Sequence, residues 1–533
     1  MRTKILTFIA LLFLLTIANS CYDDKSELDS FKIDEIVIES DEMPEILRVD
    51  YYGKVNFAPT VKMGTEVNPT NISYKWEINL TPGENNLVEL GNERVLNTTI
   101  TNQILSASYT LIFTVRDEEY GLDYQRSWPL YVNSPFREGI VVADTKDGQS
   151  SDLNLIMDNS ITTSYDKGEN IFYDIWEQTL GEKYPSLIKS VEYTLHKPSA
   201  LLTKNVITTI FEDKNIQMTD CEDYSLHKNV DQIFPGRDSN FNPQSFSTIN
   251  NQYWMLTVNN MPYLTANNQG VTSFMMPVSG IQSASNAITI ADNSGGSGPY
   301  AFWYNSEAGG IYNVALTFTT PATGGPYTNE GVFNPQAIPN RTMIAGDVSM
   351  DGISATMLMK DNATNNYELY AISFAFTDAN WNQTPSAPKL KVDLPTELNS
   401  ILDNAVSIFF NMFDPVMFVA TSNKVYAINF GGGVISHREV YAATDGTIAK
   451  AKLFVQGRFR LNQKEFNEVQ GPIFEKPLDL NTKAIVLAIN KGSNSGVIEV
   501  IPQSKTSTGV LNPMGTLRYS GFGKILDFTF QGQ

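Results

Sequence analysis

The side chains suited to nucleophilic or metal-dependent chemistry are few in this 533-residue sequence. It contains 3 histidines (His196, His227 and His437) and 2 cysteines (Cys21 and Cys221). No two histidines have the short spacing that is typical of zinc ligands. Cys221 lies in TDCEDY, where the neighbouring carboxylates raise the pKa of a thiol and weaken it as a nucleophile. We therefore expect Cys221 to be a structural residue.

Carboxylates are abundant, with 58 Asp and Glu residues, so a pair that hydrolyses glycosidic bonds is an open alternative. The segment GDVSMDG places Asp347, Ser349 and Asp351 at the first, third and fifth positions of a calcium loop. Leu358 stands at the twelfth position, where such a loop requires a bidentate glutamate. The segment fits a polar turn between strands better. The sequence predicts no catalytic residue, no metal ion and no cofactor.

Three aromatic residues are the candidates for ligand binding. Trp381 lies in DANWNQTPSAP, a loop rich in Pro and Asn, and loops commonly carry binding residues. Trp303 and Tyr304 are adjacent, so a strand directs them to opposite faces. Aromatic rings stack on sugar rings and on peptide side chains. Core packing is the alternative interpretation for both tryptophans.

Cys21 stands at an abrupt change in composition. The apolar run 5–18 is short for a permanent membrane span and suits the hydrophobic part of a signal peptide. The small residues Ala18 and Ser20 approach the cysteine, and its thiolate can accept a diacylglycerol. The arrangement resembles a bacterial lipoprotein signal with Ala18 in place of the usual Leu. We predict that residues 1–20 are the signal peptide and that Cys21 is lipidated. The alternative is a secreted protein with a free thiol.

The segment 21–31 is acidic, and the formal net charge of the whole chain is -20. Four acidic residues follow the cysteine closely: Asp23, Asp24, Glu27 and Asp29. This run resembles the export tag of Bacteroidota lipoproteins, which implies an outer-membrane location with the protein facing outwards. Without that resemblance it is a solvated tether. The negative charge argues against nucleic acid as a partner, because binding to phosphate requires a basic surface.

Residues 32–134 predict an all-β domain. IDEIVIE, KVNFAP, ISYKWEINL, SYTLIFTVRD and RSWPLYV each have the length of a strand, with Gly, Pro and Asn between them. Tyr74, Trp76 and Ile78 share one face of their strand. Short strands around a central Trp indicate an immunoglobulin-like sandwich. The pair YKWEI and YTLIFTVRD resembles the PKD family, although the usual Gly-Asp-Gly turn is not found.

Residues 135–533 contain seven apparent hairpins with polar turns: GIVVADTKDGQSSDLNLIM, SALLTKNVITTI, YWMLTVNNMPYLTA, AFWYNSEAGGIYNVALTF, ATMLMKDNATNNYELYAISF, MFVATSNKVYAINF and AIVLAINKGSNSGVIEVI. One reference residue from each recurs on average every ~57 residues: Leu155, Ile207, Tyr263, Tyr312, Tyr370, Tyr426 and Ile498. This length accommodates four strands, so we predict a seven-bladed β-propeller. LPTELNSILDNAVSI is interpreted as a helical insertion. A pair of stacked β-sandwiches is the alternative architecture.

The order of these segments resembles PKD-like family lipoproteins of Bacteroidota, which accompany SusC/SusD-type outer-membrane importers. The resemblance implies a noncatalytic binding or scaffolding accessory that captures glycans or peptides for a TonB-dependent transporter. Its expected partners are the SusC/SusD-type complex, other surface lipoproteins and an oligosaccharide or peptide ligand. The alternative function is a propeller hydrolase or lyase that trims a polymer before import. The resemblance transfers no catalytic residue.

Overall fold

The chain divides into two units, Met1–Asn133 (unit 1) and Ser134–Gln533 (unit 2). The protein is all-β, with 58% strand and 7% helix. A computed structural model describes residues 34–40, 45–50, 53–67, 69–80, 86–100, 109–136, 138–163, 165, 167–199, 202–249, 253–266, 273–278, 300–315, 324–349, 354–373, 376–377, 383–455 and 478–532. Within these ranges, no helix is both long and apolar enough to cross a membrane.

The strands described in unit 1 are short and belong to three sheets. They are β1 (Ile36–Glu39), β2 (Leu47–Asp50), β3 (Lys54–Phe57), β4 (Thr60–Met63), β5 (Glu66–Val67), β6 (Ile72–Asn79), β7 (Leu87–Gly91), β8 (Leu96–Thr99), β9 (Tyr109–Asp117) and β10 (Leu122–Asn133). The largest sheet has the order β2-β10-β9-β6-β7, and β2 runs parallel to β10. Strands β1, β4 and β5 form a second sheet, and β3 pairs with β8.

Trp76 lies at the centre of the unit 1 core, as its position in β6 predicts. Its ring is fully buried and stacks on Phe113 at 4.4 Å and on Trp128 at 6.0 Å between ring centroids. The indole Nε1 donates a hydrogen bond to the carbonyl of Glu93 at 3.0 Å. A buried Trp needs such a partner because its N–H is otherwise costly to remove from water. Trp76 is therefore a core residue.

The first three sheets of unit 2, numbered in chain order, are antiparallel. Sheet 1 contains β11 (Gly139–Thr145), β12 (Asp152–Met157), β13 (Asn170–Phe172) and β39 (Lys524–Gln531); sheet 2 contains β14 (Ile188–Ser199), β15 (Leu202–Phe211), β16 (Ile216–Asp220) and β17 (Leu226–Lys228); sheet 3 contains β18 (Pro243–Ile249), β19 (Tyr253–Val258) and β20 (Met261–Ala266).

Four further antiparallel sheets follow among the described residues. Sheet 4 contains β21 (Tyr300–Asn305), β22 (Gly310–Ala315) and β23 (Gly324–Pro326); sheet 5 contains β24 (Arg341–Ser349), β25 (Ser354–Asp361), β26 (Tyr367–Ser373) and β29 (Ala387–Asp393); sheet 6 contains β30 (Ala405–Phe410), β31 (Val416–Thr421), β32 (Lys424–Asn429) and β33 (Ser436–Ala442); sheet 7 contains β34 (Thr447–Leu453), β35 (Ala484–Asn490), β36 (Gly496–Lys505) and β38 (Leu517–Phe522).

The remaining elements lie in the connections. Strands β27 (Phe376–Thr377) and β28 (Gln383–Thr384) pair with each other, and β37 (Val510–Leu511) pairs with β36. The helices are short: α1 (Ile175–Leu180), α2 (Val230–Ile233) and α3 (Asn399–Asp403), with 3₁₀ turns at Thr396–Leu398, Gly431–Gly433, Thr506–Thr508 and Pro513–Gly515.

The sheets of unit 2 pack on one another in chain order and close into a propeller-like ring. Shared apolar clusters join sheet 2 to sheet 3, sheets 3, 4 and 5 to one another, sheet 5 to sheet 6, sheet 6 to sheet 7 and sheet 7 to sheet 1. The last strand, β39, pairs with β11 and completes sheet 1. Beyond it lies β14 of sheet 2. The chain therefore begins and ends this unit in the same sheet.

Side chains from one sheet form hydrogen bonds to the backbone groups at the strand edge of the neighbouring sheet. Asp527 on β39 accepts a hydrogen bond from the backbone N–H of Val191 on β14 at 3.1 Å. Thr529 accepts one from the N–H of Tyr193 at 3.2 Å. On the other side, the Lys452 ammonium of sheet 7 pairs with Asp527 at 3.0 Å and donates to the β39 backbone. These bonds matter because unpaired strand edges are costly when buried.

Six of the seven predicted hairpins are confirmed: β11–β12, β19–β20, β21–β22, β25–β26, β31–β32 and β35–β36. The hairpin predicted within SALLTKNVITTI is wrong, because Leu202–Phe211 is a single strand, which pairs with β14. Its polar residues resemble a turn, yet Lys204 forms an ion pair with Asp220, and Asn205 accepts a hydrogen bond from Tyr193 at 2.8 Å. Side-chain partners thus keep polar residues inside a strand.

The predicted helical insertion is shorter than expected. Helix α3 covers Asn399–Asp403, and Ala405 already begins β30. Leu398 and Leu402 are buried in the apolar cluster that joins sheet 5 to sheet 6. The segment therefore fills the space between two neighbouring sheets.

We expect Asp527→Ala to destabilise unit 2 by about 2–4 kcal/mol, because it leaves a buried N–H and a lysine without their carboxylate partner. Asp445→Ala is the matched control, since it removes an exposed ion pair with Lys491 and should change stability much less than Asp527→Ala. Urea unfolding of the two variants provides the measurement. Equal losses of stability would contradict the role given to the edge contacts.

Candidate functional site

The structure describes two of the four residues that the sequence predicts to carry function. Cys21 and Trp381 lie outside the described residues. Trp303 and Tyr304 are adjacent on β21, and both side chains are completely buried. The Tyr304 hydroxyl donates to the carbonyl of Ile338 at 2.7 Å. The prediction that Trp303 and Tyr304 offer rings to a ligand is therefore corrected: both faces of β21 are covered by the cluster that joins sheets 3, 4 and 5.

Cys221 is buried after the end of β16. Burial raises the pKa of its thiol well above the ordinary value, and the charges of Asp220 and Glu222 raise it further. The thiol stays protonated at neutral pH and is a poor nucleophile. The calcium-like segment begins inside β24, where Asp347 pairs with Thr356 across the sheet. That part of GDVSMDG is strand, in place of the expected turn.

A cluster of carboxylates surrounds the start of α1, on sheet 1. The side chains of Asp152, Asp174 and Glu177 can each place one oxygen within 4.8 Å of the others. Asp152 begins β12, and the other two lie at the start of α1. Sequence inspection missed the cluster because the strand and the helix are separated along the chain. Only the strand order brings them together.

Asp152 is bound by backbone donors on both of its oxygens. Oδ1 accepts from the N–H groups of Leu153 and Trp176, each at 2.7 Å, and Oδ2 accepts from Glu177 at 3.0 Å. Burial raises the pKa of the Asp152 carboxyl to about 6, and these N–H donors act in the opposite direction. The carboxyl caps the first turn of α1 in place of Asp174, whose side chain makes no capping bond.

A chain of hydrogen bonds links this cluster to the closure of the ring. The backbone N–H of Asp174 donates to Asn154 Oδ1 at 3.0 Å, and Asn154 Nδ2 donates to Asp144 at 3.0 Å. Asp144 in turn accepts from the N–H of Gly523, just before β39, at 2.5 Å. Burial raises the pKa of Asp144, and its two hydrogen bonds partly offset that effect. The cluster therefore serves the junction between the two ends of unit 2.

Two lysines already neutralise the accessible carboxylates. Lys183 lies 3.3 Å from both Asp174 and Glu177, and Lys146 pairs with Asp174. A hard cation such as Ca²⁺ prefers carboxylate oxygens but would have to displace these ammonium groups. Asp152 has the raised pKa of a general acid, but its oxygens face backbone donors. The geometry favours a structural cluster over a catalytic or metal centre.

Two histidines that are 31 residues apart in the chain meet on sheet 2. His196 Nδ1 lies 2.6 Å from His227 Nε2. The His196 ring is buried, and the ring of Trp254 lies 5.1 Å from it between centroids. Trp254 Nε1 donates to Thr194 Oγ1 at 3.1 Å. The sequence does not reveal this pair, because the two histidines are far apart along the chain. Only a prediction that placed both in the same sheet could have indicated it.

Three loops form a continuous surface on sheets 6 and 7. They are 411–415 between β30 and β31, 430–435 between β32 and β33, and 506–516 between β36 and β38; we call them the loop cluster. In an antiparallel sheet, the first and third connections leave at the same end. The two loops of sheet 6 therefore lie at the same end of that sheet. Hydrogen bonds join them to the loop of sheet 7.

Side-chain amides hold the loop cluster together. Asn411 and Gln503 exchange two hydrogen bonds of 3.0 Å, and Asn411 also donates to the carbonyl of Thr506 at 2.8 Å. Asn429 Nδ2 donates to the carbonyl of Ser507 at 2.7 Å. Bonds of this kind fix loops that would otherwise move independently. The loop cluster is therefore a preformed surface.

The loop cluster also approaches the sheet closely. Gly509 has a φ of 65°, and a Cβ at this position would lie 2.7 Å from the Ala427 side chain and 3.0 Å from Phe418. Glycine is needed at this position because the backbone is left-handed and because there is no space for a side chain. Close packing of the loop against β31 and β32 adds to the rigidity that the amides supply.

Large apolar side chains project from this rigid surface. The exposed fractions are 38% for Phe413, 73% for Val434 and 98% for Met514. One such side chain is ordinary on a protein surface, but three on interlocked loops mark a candidate interaction site. Methionine suits such a surface because its flexible side chain adapts to a partner.

Comparison with known proteins gives one family and several distant structures. Residues 21–186 match the PKD-like family. The match starts at Cys21 and extends beyond unit 1 to include β11, β12 and β13. No curated protein matches the chain.

The solved structures that resemble the chain are distant in sequence. A quinonprotein alcohol dehydrogenase-like protein from Bacteroides thetaiotaomicron is 11% identical, with a TM-score of 0.38 over 93% of this chain and 98% of that chain. The WD40 domain of SCAP from fission yeast is 8% identical, with 0.33 over 62% and 74%. PorZ, a surface component of the type-IX secretion system of Porphyromonas gingivalis, is 9% identical, with 0.32 over 74% and 48%.

The raised pKa of Asp152 predicts a pH dependence of stability. Its usual pKa is 3.8 and the folded value is about 6, so the folded state binds this proton more tightly than the unfolded chain. The carboxyl therefore contributes less to stability as the pH rises from about 4 through about 6. D152N retains an acceptor oxygen and does not titrate. We expect the stability of the wild type, relative to D152N, to fall by ~1–3 kcal/mol over this range.

Urea unfolding of both proteins between pH 4 and pH 8 measures this difference. The other acidic groups titrate in both proteins and cancel in the comparison. A difference in stability that stays constant across the range would show that burial does not control this carboxyl.

Proposed function

We propose that the protein is a cell-surface lipoprotein that binds or scaffolds, without catalysis, for a SusC/SusD-type TonB-dependent importer of glycans or peptides. In this proposal Cys21 carries the lipid anchor in the outer membrane, and the seven sheets of unit 2 are the blades of a seven-bladed propeller. The loop cluster at one end of the ring is the surface that contacts the importer. Unit 1 is the PKD-like sandwich, which follows the anchor along the chain.

The observation that carries the proposal is the rigid, apolar loop cluster. A surface held by side-chain amides loses little conformational entropy when a partner binds, which favours affinity. Val434 and Met514 are largely exposed, so their burial by a partner gives a hydrophobic gain. Apolar and methionine side chains of this kind are typical of the centre of protein interfaces. Sugar binding relies more on flat aromatic rings, and Phe413 is the least exposed of the three apolar side chains, so we assign the loop cluster to a protein partner.

The glycan or peptide ligand is assigned to a different part of the ring. Trp381 lies in the connection between β26 and β29 of sheet 5, and it is the remaining aromatic candidate once Trp303 and Tyr304 are placed in the core. The hydrolase alternative is disfavoured by the carboxylates of sheet 1. The oxygens of Asp152 are bound by backbone N–H groups, and Lys183 pairs with the neighbouring acids. These groups hold the ring together.

The anchoring part of the proposal rests on the N-terminal sequence and on the family match, which begins at Cys21. We expect Cys21→Ala to release the protein from membranes or to leave its signal peptide uncleaved, because no thiol remains to accept a lipid. Membrane fractionation with mass measurement of the N-terminus checks this. Cys221→Ala is the control and should leave both unchanged. Normal retention of the Cys21→Ala protein would refute lipid anchoring at this residue.

Polar substitution of the loop cluster should abolish binding to the importer. V434D and M514D each place a charge where the partner removes water, so copurification of the SusC/SusD-type pair from outer membranes should fall at least ~10-fold. The melting temperature should change little, because both side chains are exposed in the free protein. Quantitative mass spectrometry of the copurified proteins gives the measurement.

Matched substitutions test where the contact lies. V332D introduces the same charge at another exposed valine of unit 2, outside the loop cluster, and should leave copurification unchanged. Equal losses for V332D and V434D would show that a general surface charge effect is responsible. Incubation of the wild type with polysaccharides and peptides tests the alternative function, and sustained turnover would overturn the noncatalytic assignment.

A further inference from the structure

The His196–His227 pair has no role in the function proposed above. His196 belongs to β14 and His227 to β17, the first and last strands of sheet 2. Their facing nitrogens are 2.6 Å apart, so one must donate a proton while the other offers a lone pair. His196 is buried, whereas His227 is partly exposed. The pair is therefore held by two rigid strands and is open to solvent on one side.

Both rings are neutral at physiological pH. Burial is the main cause that lowers the pKa of His196 to about 3, and it also lowers the pKa of His227. Neutral imidazole is the form that binds a metal ion, because the ligating nitrogen must keep its lone pair. Most histidines lose metal affinity through protonation when the pH falls slightly below neutral. His196 keeps its lone pair well below pH 7, and the pKa of His227 is shifted in the same direction.

Fixed charges of both signs lie around the pair. Two ammonium groups and three carboxylates act on the rings or on each other: Lys204, Lys228, Asp220, Glu222 and Asp223. Lys204 is already paired with Asp220, and it lies 4.0 Å from Glu222. Asp220 and Asp223 raise the pKa of His227 and attract a cation, whereas Lys204 and Lys228 lower the pKa of both rings and oppose it, so the site depends on the lone pairs of the two imidazoles.

We propose that His196 and His227 form a binding site for a divalent first-row transition-metal ion, with Zn²⁺ as the expected ion. Imidazole is a ligand of intermediate softness and suits zinc, nickel and copper. Hard cations such as Ca²⁺ require oxygen ligands and are not expected here. The wall formed by Trp254 fixes the orientation of the buried ring. The side of His227 that faces solvent leaves room for water as a further ligand.

A small movement converts the hydrogen-bonded pair into a ligand pair. Two nitrogens at about 2.0–2.1 Å from a tetrahedral zinc ion lie ~3.3 Å apart, so the rings must separate by roughly 0.7 Å. With the ion bound, each ring carries its proton on the nitrogen that faces away from the ion, Nε2 of His196 and Nδ1 of His227. Each imidazole then stays neutral and offers one lone pair, so no net proton is released. Rotation of the partly exposed His227 ring supplies the movement.

Calorimetric titration of the full-length chain without a histidine tag tests the proposal. After treatment with a chelator, the protein is titrated with Zn²⁺, and separately with Ca²⁺ as the hard-cation control. We expect one Zn²⁺ per chain and an increase in melting temperature, with no response to Ca²⁺. His227→Ala should weaken Zn²⁺ binding at least ~10-fold and remove the thermal shift, because it deletes one of two protein ligands.

His437→Ala provides the matched control, because this third histidine is exposed on β33 of sheet 6. Its Zn²⁺ affinity should equal that of the wild type. His227→Gln keeps a polar side chain at the position and serves as a second variant should His227→Ala fail to fold. Co²⁺ gives an independent readout, since its visible absorption bands report nitrogen ligation in the wild type and should be lost in the His227 variants.

Absence of Zn²⁺ binding by the wild type would overturn the proposal. Equal binding by the wild type and the His227 variants would also overturn it, and would place the ion elsewhere, for example at the carboxylates of Asp152, Asp174 and Glu177. The outcome is independent of the importer experiment, because the loop cluster substitutions lie on sheets 6 and 7 and the histidines lie on sheet 2.

Discussion

The ring of unit 2 depends on how its inner strand edges are satisfied. A strand at the edge of a sheet has unpaired N–H and C=O groups, and in the middle of a packed ring water cannot reach all of them. The side chains of Asp527 and Thr529 on β39 accept hydrogen bonds from backbone N–H groups of β14. Lys452 of sheet 7 donates a hydrogen bond to a backbone carbonyl of β39. Each of these hydrogen bonds joins two sheets, so the bonds that satisfy the backbone of an edge strand also connect neighbouring sheets. Hydrophobic packing between sheets then adds to a geometry that these bonds define.

The polar clusters of the molecule follow from the same requirement. Asp152 caps α1, and Asn154 and Asp144 continue the hydrogen bonds to Gly523 beside the closing strand. Carboxylates with raised pKa values usually attract attention as catalytic groups. Here burial raises the pKa of Asp152 and of Asp144, while backbone N–H groups and the Asn154 amide bind these carboxylates as part of the fold. Functional sites are better sought where the fold leaves side chains unsatisfied by the protein itself, as at the exposed loop cluster.

Local patterns in the sequence predict much of this fold because each sheet is a meander of neighbouring strands. Alternation in ISYKWEINL correctly places Trp76 in a core, and Asn-rich turns such as Asn259–Asn260, with φ of 51° and 60°, correctly indicate a hairpin. The prediction for Trp303 and Tyr304 was wrong because β21 is covered on both faces, a state that alternation cannot reveal. The continuous apolar run YAFWY was the available signal. The pair of His196 and His227 arises from strand order, which spacing along the chain does not contain.

The pairing of β11 with β39 has a consequence for the life of the chain before it is folded. Val141 pairs with Thr529, so sheet 1 obtains its fourth strand from residues that are synthesised long after β11. Contacts so far apart in sequence form slowly, because a long loop must close before they give any stability. Until then β11 carries an open edge, which is a template for aggregation. A chain of this topology therefore gains from being kept unfolded until β39 is available to pair with β11.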